Sequence, residues 1–135
     1  MAPDNFKKSF TPEVLTRLFP AERSDAFFDA LFGDAAEGAF DITLEYGGYK
    51  PESNQLLFEL RLHQRPGKCL ACNLTHGLPT VFTRHPVIDI KGLVKGIDGL
   101  LVNRARSKGW RLGSTRSVSS ALHIIPLIVD LVPRA

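Results

Sequence analysis

The chain has 135 residues, 44% hydrophobic and 23% charged, the balance of one soluble globular domain with its own core. No apolar run approaches the roughly 18–20 residues that span a bilayer, so no membrane partner is expected. Residues 1–10 carry lysines without the apolar stretch of a secretory leader, and the two cysteines then point to a reducing, cytoplasmic setting. The net charge of +3 conceals an asymmetry: residues 1–62 hold 6 Lys+Arg against 11 Asp+Glu, while residues 63–135 hold 11 against 3. Either the acidic and basic segments pack side by side, or the basic half forms a patch for an anionic partner.

In chain order, residues 1–10 read as a flexible arm, and residues 11–135 as a single α+β domain. Thr11-Pro12 is a helix start, with threonine as N-cap and proline at the first helical position. Val14, Leu15, Leu18 and Phe19 form its apolar face, and Pro20 stops it. Ser24 is expected to cap a second helix that buries Phe27, Phe28, Leu31 and Phe32 and ends at Gly33. The period then changes to two. Phe40, Ile42, Leu44 and Tyr46 alternate with polar residues, which predicts a half-buried strand. Gly47–Asn54 reads as a connection. Leu56, Phe58, Leu60 and Leu62 predict a second strand, with Leu57 the one apolar residue on its polar face and His63 on that same face.

Pro66-Gly67 marks a turn. A third strand is expected over Lys68–Thr75, paired so that Leu62 meets Leu70 or Cys72, and a short fourth over Thr80–Arg84. Asp89 caps a long helix over residues 90–108 with the stripe Ile90, Leu93, Val94, Ile97 and Leu101. Gly92, Gly96 and Gly99 within it each cost about 1 kcal/mol against alanine, which implies a close backbone approach. A short strand is expected near Arg111. Ala121–Val132 reads as a strand buried on both faces, and Pro126 places it at an edge or a bulge. The predicted fold is α+β: N-terminal helices, an antiparallel β-meander of three to four strands, one long helix on the sheet, and a C-terminal strand returning to it.

Chemistry is sparse. His63, Cys69, Cys72 and His76 are the right residue types for a zinc site, but a shared ion needs a turn that turns both sulfurs inward. On a strand, Cys69 and Cys72 point to opposite faces. Redox and haem readings fail for want of a following helix and of a histidine directly after Cys72. His85 and His123 read as a loop and a core histidine. No catalytic residues and no cofactor are expected. The basic residues Arg84, Lys91, Lys95, Arg104, Arg106, Lys108, Arg111 and Arg116 form an alternative anion site, with Gly113-Ser114-Thr115 offering backbone N–H groups. Trp110 is the one aromatic beside them, too few for a nucleic-acid stacking platform. The leading expectation is therefore a non-enzymatic interaction module whose partner is itself, as a homodimer, or another protein. A metal or thiol protein and a nucleic-acid or anion binder are the alternatives.

Overall fold

In a computed structural model of the chain, residues 6–34, 38, 40–68, 78–101 and 105–133 are described. The fold is α+β, with helices on one face of a five-stranded antiparallel sheet.

Helix α1 (Pro12–Leu18) starts as its sequence dictates. The Val14 N–H donates to Thr11 Oγ1 at 3.3 Å, with Pro12 in the first turn. Before it, Phe6 packs on Tyr49 at 4.9 Å between ring centroids, and Phe10 is buried against Phe58 at 5.0 Å. Helix α2 (Glu22–Phe32) begins earlier than its expected cap. The turn after Pro20 supplies the start, through Arg23 N–H to Pro20 O at 3.0 Å. Ser24 is instead fully buried, and its Oγ accepts the Ile42 N–H at 2.8 Å. Gly33 closes the helix at φ 76°, a left-handed conformation that glycine adopts without steric cost.

Strands β1 (Phe40–Lys50) and β2 (Gln55–Gln64) form a hairpin in which Ile42 faces Leu62, Leu44 faces Leu60 and Tyr46 faces Phe58. A bulge between Tyr46 and Gly48 carries β1 on to Lys50, so the connection shrinks from the expected Gly47–Asn54 to Pro51–Asn54. The opposite edge of β2 is taken by β5 (Leu122–Pro133) over Gln55–His63. Leu62 thus pairs with Ile42 and His123, and not with Leu70 or Cys72. The strand expected over Lys68–Thr75 lies, from Cys69 onward, outside the described residues.

Two further expectations are corrected. Thr80–Arg84 belongs to helix α3 (Leu78–Arg84), not to a strand. Its β-branched residues favour a strand, but Pro79 sits comfortably in a first helical turn and Phe82 anchors the helix by packing on Phe27 at 5.4 Å. Helix α4 (Ile90–Leu101) stops well short of residue 108, and Ala105–Leu112 forms strand β3. The apolar stripe runs out at Leu101. Beyond it, no apolar residue stands at the next helical core positions except Ala105, which the strand buries. Asp89 does cap α4, accepting the Gly92 N–H at 3.1 Å. Gly96 explains itself too: a Cβ there would come within 2.8 Å of Leu18, so α1 and α4 touch through it.

Strand β5 is central, not at an edge. Strand β3 runs along its far side from Ala105 opposite Pro133 to Leu112 opposite Leu127, and β4 (Arg116–Ser119) continues opposite Leu122–Ile124. Pro126 is tolerated because its missing donor meets no strand. The Pro126 carbonyl accepts the Gly113 N–H at 2.8 Å, so that side of Pro126 faces the break between β3 and β4. A Cβ at Gly113 would stand 2.6 Å from the Pro126 ring, which reserves the position for glycine.

The core lies between the sheet and the helices. Leu56, Phe58, Leu60 and Leu62 of β2 and Ile125, Leu127, Val129 and Leu131 of β5 all turn toward Phe27, Phe82, Ile90, Leu93 and Ile97. Edge-to-face aromatic pairs such as Phe28–Phe40, with centroids 4.8 Å apart, each add about 0.5–1.5 kcal/mol beyond their area.

Candidate functional site: an open sheet face and a lysine groove

Alternation sends every second residue of β2 and β5 away from the helices. On that face the register sets Arg61 beside Ile124, Glu59 beside Pro126, Leu57 beside Ile128 and Gln55 beside Asp130. Leu57, Pro126, Ile128 and Val132 are only half-buried, and among the described residues no element packs over them. The expectation that β5 is buried on both faces therefore holds for the core face and, on the other, for Ile124, but not for Pro126, Ile128 and Val132. Leu57, the exception in the polar pattern of β2, is the apolar residue that faces Ile128 on this surface.

The charge asymmetry of the chain is laid across this face. Strand β1, from the acidic half, brings Asp41 and Glu45 to one edge. Strands β3 and β4, from the basic half, bring Arg106, Arg111 and Arg116 to the other. Ion pairs on the face join Arg61 to Glu59 within β2 at 2.9 Å, Arg116 of β4 to Glu59 at 3.6 Å and Arg111 of β3 to Asp130 of β5 at 3.5 Å. The Gln55 amide adds 2.8 Å to Asp130. These contacts are part-exposed, and they orient the side chains more than they stabilise the fold. An apolar centre with an arginine-rich, charged rim is the anatomy of a protein interface.

Six of the eight basic residues expected at one anion site divide between the two sides of β3. Lys91 and Lys95, one turn apart on α4, meet Lys108 across a groove of about 320 Å³ whose wall is Trp110. A bulge between Ser107 and Gly109 makes Lys108 the inserted residue and lets it join Trp110 on the groove. Asp98 in the same groove accepts the Ser107 N–H at 2.6 Å. Arg106, Arg111 and Arg116 stand on the opposite, open face, Arg84 ends α3, and Arg104 lies outside the described residues. The Gly113 N–H is already spent on Pro126, so the expected anion nest at Gly113–Thr115 lacks its first donor.

Of the expected metal ligands, only His63 is described. It stands on the open face, with its Nε2 2.9 Å from Thr43 Oγ1. Cys69, Cys72 and His76 fall outside the described residues. Among the described residues no three His, Cys, Asp or Glu side chains gather as metal ligands do. His85 and His123 have structural partners. The His85 Nδ1 accepts the Val87 N–H at 3.2 Å, and the His123 Nε2 lies 3.2 Å from Ser117 Oγ. Arg65 links α2 to β1 through Asp25 at 2.6 Å and Asp41 at 2.9 Å, its guanidinium 5.4 Å from the centre of the Phe28 ring.

Sequence reasoning saw the lysines but put Lys108 on a helix, and it did not place Trp110, Asp98 and Ser107 with Lys91. The end of the apolar stripe at Leu101 was the available signal. Among the described residues no helix is long and apolar enough to cross a membrane. Compared with known protein families, with curated proteins and with solved structures, the chain finds no match in any of the three.

Proposed function

We propose that this chain is a non-enzymatic, cytoplasmic binding module that works as a homodimer, two copies meeting through their open sheet faces. The observation that carries the reading is the layout of that face: a half-buried apolar centre at Leu57 and Ile128 between an acidic edge and a basic edge. A two-fold axis in the interface plane, along the strand direction, exchanges β1 with β3–β4 and β2 with β5. It sets Leu57 of one copy against Ile128 of the other, and Glu45 between Arg111 and Arg116. Both edges of β5 are occupied within the chain, so self-association through an extended β5 ladder is closed.

The dimensions suffice for a specific contact. Four strand positions span roughly 19 Å and the nine paired positions of β2 about 30 Å. That gives about 550 Å² per copy and near 1,100 Å² in total, just above the ~1,000 Å² that separates specific interfaces from crystal contacts. An interface at this low end of the size range belongs with weak, transient associations. Sedimentation equilibrium between roughly 1 and 100 µM tests the reading. A monomer–dimer equilibrium in that range is expected, and a monomer throughout rejects the reading.

A further inference from the structure

The groove between α4 and β3 serves no part of the dimer, because Trp110 pairs with the fully buried Val129 and so faces the helix side of the sheet. Three lysines from two segments line it: Lys91 and Lys95 from α4, and Lys108 from the bulge in β3. Among the described residues none of the three has an ion-pair partner. Lysines at i and i+4 repel one another, and on the helix the one carboxylate neighbour of the pair is Asp98, three residues after Lys95. The one carboxylate in the groove, Asp98, is oriented by the Ser107 N–H and offsets one positive charge of three. The lysine side chains offer only donors, and the indole of Trp110 with Val94 supplies an apolar wall. The volume of about 320 Å³ falls at the small end of the ~300–1,000 Å³ typical of ligand sites.

We propose that this groove binds a small phosphate ester carrying a flat ring, with the phosphate between Lys91, Lys95 and Lys108 and the ring against Trp110. Lysine serves phosphate as a mobile point charge, and aromatic faces accept any base by stacking. The geometry commits to a small molecule: one aromatic wall stacks one ring, whereas a strand of nucleic acid needs a succession of them.

Trp110 is the single tryptophan of the chain, so its fluorescence reports on the groove directly. The full-length protein is titrated with AMP, with inorganic phosphate and with a single-stranded oligonucleotide. AMP is expected to change the emission saturably with a Kd below about 1 mM, and at least ~tenfold more tightly than inorganic phosphate because only AMP stacks. Lys91→Glu/Lys95→Glu is expected to weaken AMP by at least ~tenfold with an unchanged circular dichroism spectrum, as both side chains are exposed. If that pair perturbs folding, Lys108→Glu alone is expected to weaken AMP in the same direction. Trp110→Phe, followed by calorimetry, removes most of the preference for AMP over phosphate. No saturable change, equal affinity for AMP and phosphate, or an effect of neither lysine variant overturns the assignment. Affinity that climbs with oligonucleotide length also overturns it, in favour of a nucleic-acid strand. None of these outcomes depends on the oligomeric state.

Discussion

Removing a single oxygen from Ser24 exposes how the β1 edge is closed. Strand β1 is an outer strand, so half of its backbone groups face away from β2. At Ile42 the outward N–H meets Ser24 Oγ at 2.8 Å, beneath helix α2, and Ser24 is fully buried. Ser24→Ala deletes the acceptor and leaves the Ile42 N–H buried without a partner, since water does not reach it. The cost of an orphaned buried donor is about 1–3 kcal/mol. At roughly 2.1 cal/mol/K of unfolding entropy per residue, a chain of 135 residues loses about 4–10 °C of Tm for that cost. Differential scanning calorimetry reads the Tm, and hydrogen exchange reads the Ile42 amide, which should exchange faster than the inward amides of the same strand. A Tm within about 1 °C of the parent, with unchanged Ile42 protection, would refute the view that α2 caps the edge through this hydroxyl. Helix α2 thereby protects this part of the β1 edge from pairing with another chain.

Other outcomes follow from the same packing. Gly99→Ala adds a Cβ with no neighbour within 4 Å on helix α4, so chemical denaturation should show a gain of about 1 kcal/mol. Gly113→Ala drives a Cβ to 2.6 Å from the Pro126 ring, which cannot rotate away, and should cost about 1–3 kcal/mol in the same assay. Arg65→Met keeps the contact with Phe28 but breaks the links to Asp25 and Asp41, whose side chains are 62% and 59% exposed. A loss of no more than about 1 kcal/mol, shrinking as salt is added, is the expected result. Ile128→Asp puts a carboxylate opposite Leu57 of the second copy. It should weaken the dimer at least ~tenfold by sedimentation while the isolated chain stays folded by circular dichroism.

Elements with one dominant period were legible. Strand β1 up to Tyr46 and strand β2, with Leu57 its one exception, announce themselves by alternation, α1 by its Thr-Pro start, and α4 by its apolar stripe. In each, the local pattern and the tertiary environment agree. Helix α3 was not legible, because a seven-residue segment has little periodicity and Phe82 decides the conformation by packing on Phe27. Strand β3 is polar and basic, with Gly109 in its middle. The short strand expected near Arg111 is its C-terminal part; its extension back to Ala105 follows from the edge that β5 offers. Pro126 was legible as the need for an edge or bulge at that residue, but not as a position inside a central strand. From sequence a proline demotes a strand to an edge, yet here the neighbouring strand is interrupted where the missing donor points. The lysines of the groove were visible one by one. Their meeting depends on α4 ending at Leu101 and β3 turning back beside it, a long-range event. The two charged halves were visible as totals, and only the strand order converts them into opposite edges of one surface.

A charge exchange tests most directly whether this surface is complementary to itself across a two-fold axis. Glu45→Arg makes both edges of one variant basic; Arg111→Glu/Arg116→Glu makes both edges of the other acidic. Each variant alone should sediment as a monomer at concentrations where the parent dimerises, because both contacts of residue 45 with residues 111 and 116 across the axis become repulsive. Mixed in equal amounts, the two should form a one-to-one heterodimer, since both rim contacts of the mixed pair are then attractive. Variants that dimerise as well as the parent, or a mixture that stays monomeric, would contradict that complementarity.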